Sequence, residues 1–309
     1  MADDWLNIAL RFGLYLDLTI LFGVSLFGVQ ALRPDHRASA IARRYVRAIG
    51  VTAALGIVLS LWSFVVMAKA MTGATDYAEL TSHVFGMLLT STAVGLAWMV
   101  RLAALAGCLV AVARLRKHPA PNFGVCAGLG AVALVTVTWA GHGAMDDGAR
   151  GYLHLVFDIA HVLAAGAWVG ALAAFVLLAS TRQGASSEAV EILSHTSNGF
   201  ARLGTLIVAT LLATGTFNYL LIVGPTINGL FSTLYGRLLL IKLALFALML
   251  GLAAANRYRL SPRLEAAVRA ADHASAVMAL RRSLVTEASL AVLILALVAW
   301  LGVLSPPGT

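Results

Sequence analysis

Apolar residues run along this chain in long blocks, with short polar stretches between them. The blocks predict eight helices, at about 5–32, 46–70, 83–113, 122–144, 152–179, 200–223, 235–255 and 284–304. A helix needs roughly 20 mostly apolar residues to cross a bilayer. The pattern therefore predicts an all-α polytopic membrane protein, a bundle of about eight transmembrane helices forming one integral-membrane domain over 1–309. No repeat is evident along the chain. Gly166 and Gly170, four apart, suit close helix packing in lipid. The stretch 256–283 is long enough for a short amphipathic helix, within EAAVRAADHASAVMALRR, on a headgroup surface.

Composition agrees with this pattern. The chain is 60% hydrophobic and 12% charged, against about 25% charged in a typical soluble domain. The net charge of +8 reads as topology, because its distribution is uneven. Of 22 Lys and Arg, 16 lie in or beside alternate loops: five in 33–47, three in 114–117, Arg182, Arg202, and six in 257–282. Asp76, Glu79, Asp146 and Asp147 occupy the other loops, and Asp3 and Asp4 the N-terminus. The positive-inside rule then predicts cytoplasmic basic loops and both termini outside. The acidic start, MADDWLNIALRFG, has no basic n-region of a cleavable signal. There is no CxxC, GxGxxG or Walker sequence, so soluble nucleotide or nucleic-acid chemistry is not expected.

Within this topology four of the eight histidines, His83, His142, His154 and His161, fall towards the outward ends of predicted helices three to five. Met67, Met71, Met87 and Met145 accompany them. Thioether sulfur selects Cu(I), and imidazole suits copper in either oxidation state. Zinc or magnesium would bring cysteines or several carboxylates. The residues therefore point to copper, as Cu(I) or Cu(II). In the run HLVFDIAH, positions 154, 158 and 161 fall within an arc of roughly 60° on a helix. His154, Asp158 and His161 thus form one stripe, expected to face the bundle interior because exposure to lipid would be costly. Asp158 would ligate the metal or orient an imidazole. The bland alternatives are an interfacial histidine at 154, a structural hydrogen bond at 161 and a first-turn histidine at 83; single methionines more often pack than ligate.

Three further ionisable groups lie inside predicted helices: Asp17, Lys242 and Glu287. Lys242 needs a partner at its own depth, either Asp17 or Asp158. With the helix-five stripe, Asp17, Lys242 and Glu287 sketch a transport path. Arg101 is expected to snorkel to the cytoplasmic interface. Cys108 and Cys126 make no disulfide framework; they are expected to be small packing residues, the sharper alternative being an inner soft-metal exit.

The stretch Tyr235-Gly236-Arg237-Leu238-Leu239 with Lys242, the turn Asn256-Arg257-Tyr258-Arg259, and the helix HLVFDIAHVLAAGAWVGAL resemble the CopD family of copper-resistance membrane proteins, also called PcoD. The likeness covers about 150–302 well and the first half by topology and His/Met placement. It implies a bacterial inner-membrane protein that moves copper from periplasm to cytoplasm, with no covalent chemistry and hence no enzyme activity. The implied partner is a separate periplasmic copper carrier of the CopC type, since this chain begins directly at helix one. Metal contacts would come from His154, His161, Asp158, His142, His83, Met145 and Met87. Two readings stand beside it: a membrane b-type cytochrome, with His142 paired to His154 or His161 across a haem, and a copper sensor or carrier partner that does not transport.

Overall fold

Long uninterrupted apolar runs favour helices whose backbone groups pair internally, the only open-chain form stable in lipid. The computed structural model describes residues 2–32, 39–116, 123–141, 148–179, 187–225, 228–270 and 274–306, and among them it contains helices and no strands. The elements are α1 (Ala2–Ala31), α2 (Ala40–Thr72), α3 (Ser82–Ser91), α4 (Ala93–Leu115), α5 (Gly124–Val135), α6 (Gly148–Ala179), α7 (Ser187–Ile222), α8 (Asn228–Ser232), α9 (Leu234–Ala255), α10 (Ser261–Arg269) and α11 (Ala274–Leu301). Among the described residues, seven helices are long and apolar enough to cross a membrane. An eighth apolar segment, α5 continued by a 3₁₀ stretch Thr136–Ala140, is shorter. Its combined rise is roughly 28 Å, close to the ~30 Å hydrocarbon core. Each of the eight expected segments is thus helical over most of its described residues, in an all-α polytopic membrane protein.

Helix α1 lies at the centre and packs on α2, α5, α6 and α11. The α1–α6 contact is tightest where Gly23 meets Gly166 and Gly170: a Cβ on Gly23 or Gly170 would fall on the opposing backbone. The chain ends meet at one end of the bundle. Trp5 lies 5.8 Å from Trp300 between ring centroids, and the Arg11 guanidinium donates to the carbonyls of Gly302 (3.1 Å) and Ala140 (3.2 Å). Arg43, Arg44 and Arg47 at the start of α2, and Arg114 and Arg116 at the end of α4, mark the opposite, basic end.

Two boundaries differ from the expected ones. The expected helix 83–113 is broken at Thr92 into α3 and α4. The Thr92 hydroxyl donates to the Leu88 carbonyl (2.6 Å) and accepts from Gly95 N–H (2.9 Å), so it closes one helix and caps the next. A Cβ on Gly95 would collide with the Leu88 carbonyl, so the fold-back needs glycine. The same device opens α9: Thr233 donates to Gly229 O (2.7 Å), accepts from Gly236 N–H (3.0 Å), and Gly236 lies on the Gly229 carbonyl. In both places a cation follows six residues after the glycine, Arg101 and Lys242. Helix α7 begins at Ser187, well before the expected 200, because Val190, Ile192 and Leu193 are buried in the main core.

Arg101 does not snorkel. It is 6% exposed, and it donates through Nε to Thr136 Oγ1 (2.7 Å) and through Nη2 to the Thr136 carbonyl (3.3 Å). The first residue of the 3₁₀ stretch thus anchors the guanidinium inside the bundle. Cys108 and Cys126 are both fully buried in the main core, with Cys108 Sγ 3.9 Å from the Cys126 carbonyl.

Candidate functional site

Helices α6 and α7 run antiparallel, which pairs Asp158 with Asn218 and His161 with Thr214 one turn deeper. Asn218 Nδ2 donates to Asp158 Oδ1 at 2.7 Å, and His161 Nδ1 lies 2.9 Å from Thr214 Oγ1. Phe157 and Phe217 stack at 4.3 Å beside them and hold the register. Thr214 Oγ1 also lies 2.6 Å from the Thr210 carbonyl, and its only proton goes there. His161 must therefore donate from Nδ1, which leaves the Nε2 lone pair available. A neutral imidazole fixed by a partner on its other nitrogen is the form that binds metal.

Asp158 and His161 line a cavity of about 260 Å³ at the terminal end, with Lys242, Tyr235, Arg11 and Gly141. His161 and Lys242 also line a second cavity of about 290 Å³, deeper in the bundle, which reaches Trp168 and Met249. Trp168 in turn walls a third cavity of about 310 Å³ towards the basic end, with Glu287, Asn256, Arg257 and Thr205. The three spaces follow one another across the bundle, and Trp168 stands between the last two. There Trp168 Nε1 donates to Glu287 Oε1 (2.9 Å), and Asn256 Nδ2 donates to Oε2 (2.8 Å). Asn256 is oriented by a π-helical turn, Asn256–Leu260, that widens the chain just beyond α9.

The sequence candidates divide accordingly. Asp158, His161 and Lys242 come together in the lining of one cavity, which Asp17 does not join. His154 is buried at 1% exposure but is not in the cavity lining, so it and His161 do not face one space. Glu287 is buried at the far cavity. Asp17 is separate: Arg11, Tyr15 and Thr19 present one face of α1 to the first cavity, and Asp17 lies about 160° round the helix from both Tyr15 and Thr19. It faces α2, where a Cβ on Gly56 would come 2.6 Å from Oδ2, and neither carboxylate oxygen has a partner among the described residues. His83 and Met87 are exposed on α3, which packs on α2 and α4. His142 and Met145 lie outside the described residues. Among the described residues no group of three or more His, Cys, Asp or Glu side chains converges as a metal cage. Thr214 and Asn218 were not among the sequence candidates; their signal is the stripe Thr210, Thr214, Asn218, four apart on an apolar helix.

The class is a membrane-spanning helical bundle with a cavity that gathers Asp158, His161 and Lys242. Family models carry this further. Residues 1–152 match "Copper resistance protein D-like, N-terminal domain" and 194–301 match "Copper resistance protein D". The chain is 45% identical to copper resistance protein D of Pseudomonas syringae pv. tomato over 98% of both chains. It is 28% identical to the inner membrane protein YebZ of Escherichia coli K12, over 85% of this chain and 87% of that one. It is 29% identical to the copper transport protein CutJ of Bacillus subtilis 168, over 82% of this chain and 47% of that one. No solved structure matches. The chain belongs to the copper resistance protein D family, membrane proteins of copper resistance and transport.

Proposed function

We propose that this protein moves copper ions across the bacterial inner membrane, from periplasm to cytoplasm, through the three successive cavities. The observation that carries the reading is the fixed tautomer of His161 beside Asp158, with an imidazole lone pair left for metal in a space lined by a carboxylate. Support also comes from relatives named for copper resistance and copper transport. A resident zinc site closes four ligands around its ion. An imidazole and a carboxylate form a more open set, suited to an ion that must also leave.

The basic connections lie on the cytoplasmic side by the positive-inside rule, with both termini periplasmic. The first cavity then opens outward, and Gly141 lines it immediately before His142. Copper capture falls to His142 and Met145, which follow Gly141 in the chain, and a periplasmic carrier of the CopC type delivers the ion. Glu287, held by Trp168 and Asn256, is the inner station. His83 and Met87 take no part in the interior path, nor does Asp17. The ion passes unchanged between ligands with no covalent step, so the protein acts as a carrier and not an enzyme.

The test is equilibrium copper binding by the purified protein, with Cu(I) titrated against a chromogenic chelator. His161→Ala and Asp158→Asn are expected to weaken binding by roughly 10- to 100-fold, the range for lost metal-site interactions. Wild-type affinity in both variants refutes the site.

A further inference from the structure

Lys242 is out of place in a copper site. Its side chain lines both the outer and middle cavities, in the middle of a membrane helix where a charge is costly. A protonated lysine has three donors and no lone pair, so it repels a metal cation and cannot ligate it. Arg101, its counterpart six residues after Gly95, is anchored by two hydrogen bonds to Thr136. Lys242 has no such anchor: among the described residues its ammonium makes no hydrogen bond or close ion pair, and it lines the outer cavity together with Asp158. The other cation of the outer cavity, Arg11, is committed to the carbonyls of Gly302 and Ala140.

We infer that Lys242 is a built-in counter-cation: its ammonium holds the charge of Asp158 while the site is empty and is displaced when copper arrives. With the site empty, the Lys242 ammonium offsets the Asp158 carboxylate across the cavity that both line. Copper entry adds a positive charge, and Lys242 withdraws towards the middle cavity that it also lines. Its return helps expel the ion. The lysine thus lowers affinity and favours release, which a carrier needs and a storage site does not. Its role is one of tuning, since it never touches copper.

This inference rests on the proposed copper site at His161 and Asp158, and its test separates the two. Cu(I) affinity is measured by chelator competition for wild type, Lys242→Met, Lys242→Gln and Lys242→Arg, with thermal unfolding recorded for each. Both neutral variants are expected to bind Cu(I) at least tenfold more tightly than wild type, while Lys242→Arg stays near wild type. In proteoliposomes the neutral variants also release copper more slowly. If Met does not purify, Gln carries the same expectation with a polar side chain. Folded neutral variants that bind Cu(I) no more tightly than wild type overturn the counter-cation role. Wild-type protein whose Cu(I) binding ignores His161→Ala and Asp158→Asn overturns the underlying site instead.

Discussion

The indole N–H of Trp168 on α6 donates to Glu287 Oε1 on α11 at 2.9 Å, just where the middle cavity gives way to the inner one. With Asn256 on the other oxygen, the carboxylate is satisfied at both ends while 2% exposed. Trp168→Phe keeps the ring and removes the donor. A buried charged acceptor left short of one hydrogen bond costs about 1–3 kcal/mol. Thermal unfolding in detergent is expected to show that loss, and Trp168→Phe/Glu287→Leu, which removes both partners, to recover part of it.

Thr214→Val tests the tautomer argument. Valine matches threonine in shape but takes no hydrogen bond from His161 Nδ1, so the ring loses its fixed orientation. Copper affinity is expected to fall about 10-fold with thermal stability little changed, whereas Thr214→Ser retains wild-type affinity. Chelator competition reads both variants.

The α1–α6 crossing depends on two glycines meeting. Gly170→Ala would force its methyl into the backbone of Gly23, and no side-chain rotation relieves that. The expected loss is at or above the ~1–3 kcal/mol of ordinary overpacking. Gly251→Ala, where a Cβ meets nothing within 4 Å, is expected to be neutral or stabilising by up to about 1 kcal/mol. A thermal melt of the two side by side separates packing from a general intolerance of substitution.

His83 and Met87 sit exposed on α3, away from the cavity helices α6, α7 and α9. His83→Ala and Met87→Leu are therefore expected to leave interior copper affinity within about twofold of wild type, as distant sites behave independently. A larger loss in the same titration would bring α3 back into the metal site.

Much of this was legible along the chain, for identifiable reasons. Helix-length apolar runs announce the spans, and the stripe Asp158–His161 is visible because charge in such a run has few structural uses. The face of α1 taken by Asp17 was not legible, since α1 is packed on several sides and its apolar pattern favours none. That ambiguity left Lys242 with two candidate partners, of which Asp158 shares its cavity. The break at Thr92 escaped because threonine hardly interrupts an apolar run; the T-x-x-G spacing shared by Thr92–Gly95 and Thr233–Gly236 was its available signal. Arg101 was expected at an interface because snorkelling needs no specific partner, whereas the carbonyl and hydroxyl of Thr136 come together only in the folded 3₁₀ turn. Thr214 and Asn218 are uncharged, so only their pairing with α6 distinguishes them from ordinary polar packing.

The most direct test of the central claim is radiocopper flux into proteoliposomes bearing wild type, His161→Ala or Asp158→Asn. The account predicts protein-dependent flux in wild type that falls at least about tenfold in each variant. Equal flux in all three, or copper binding by wild type with no flux, would contradict it.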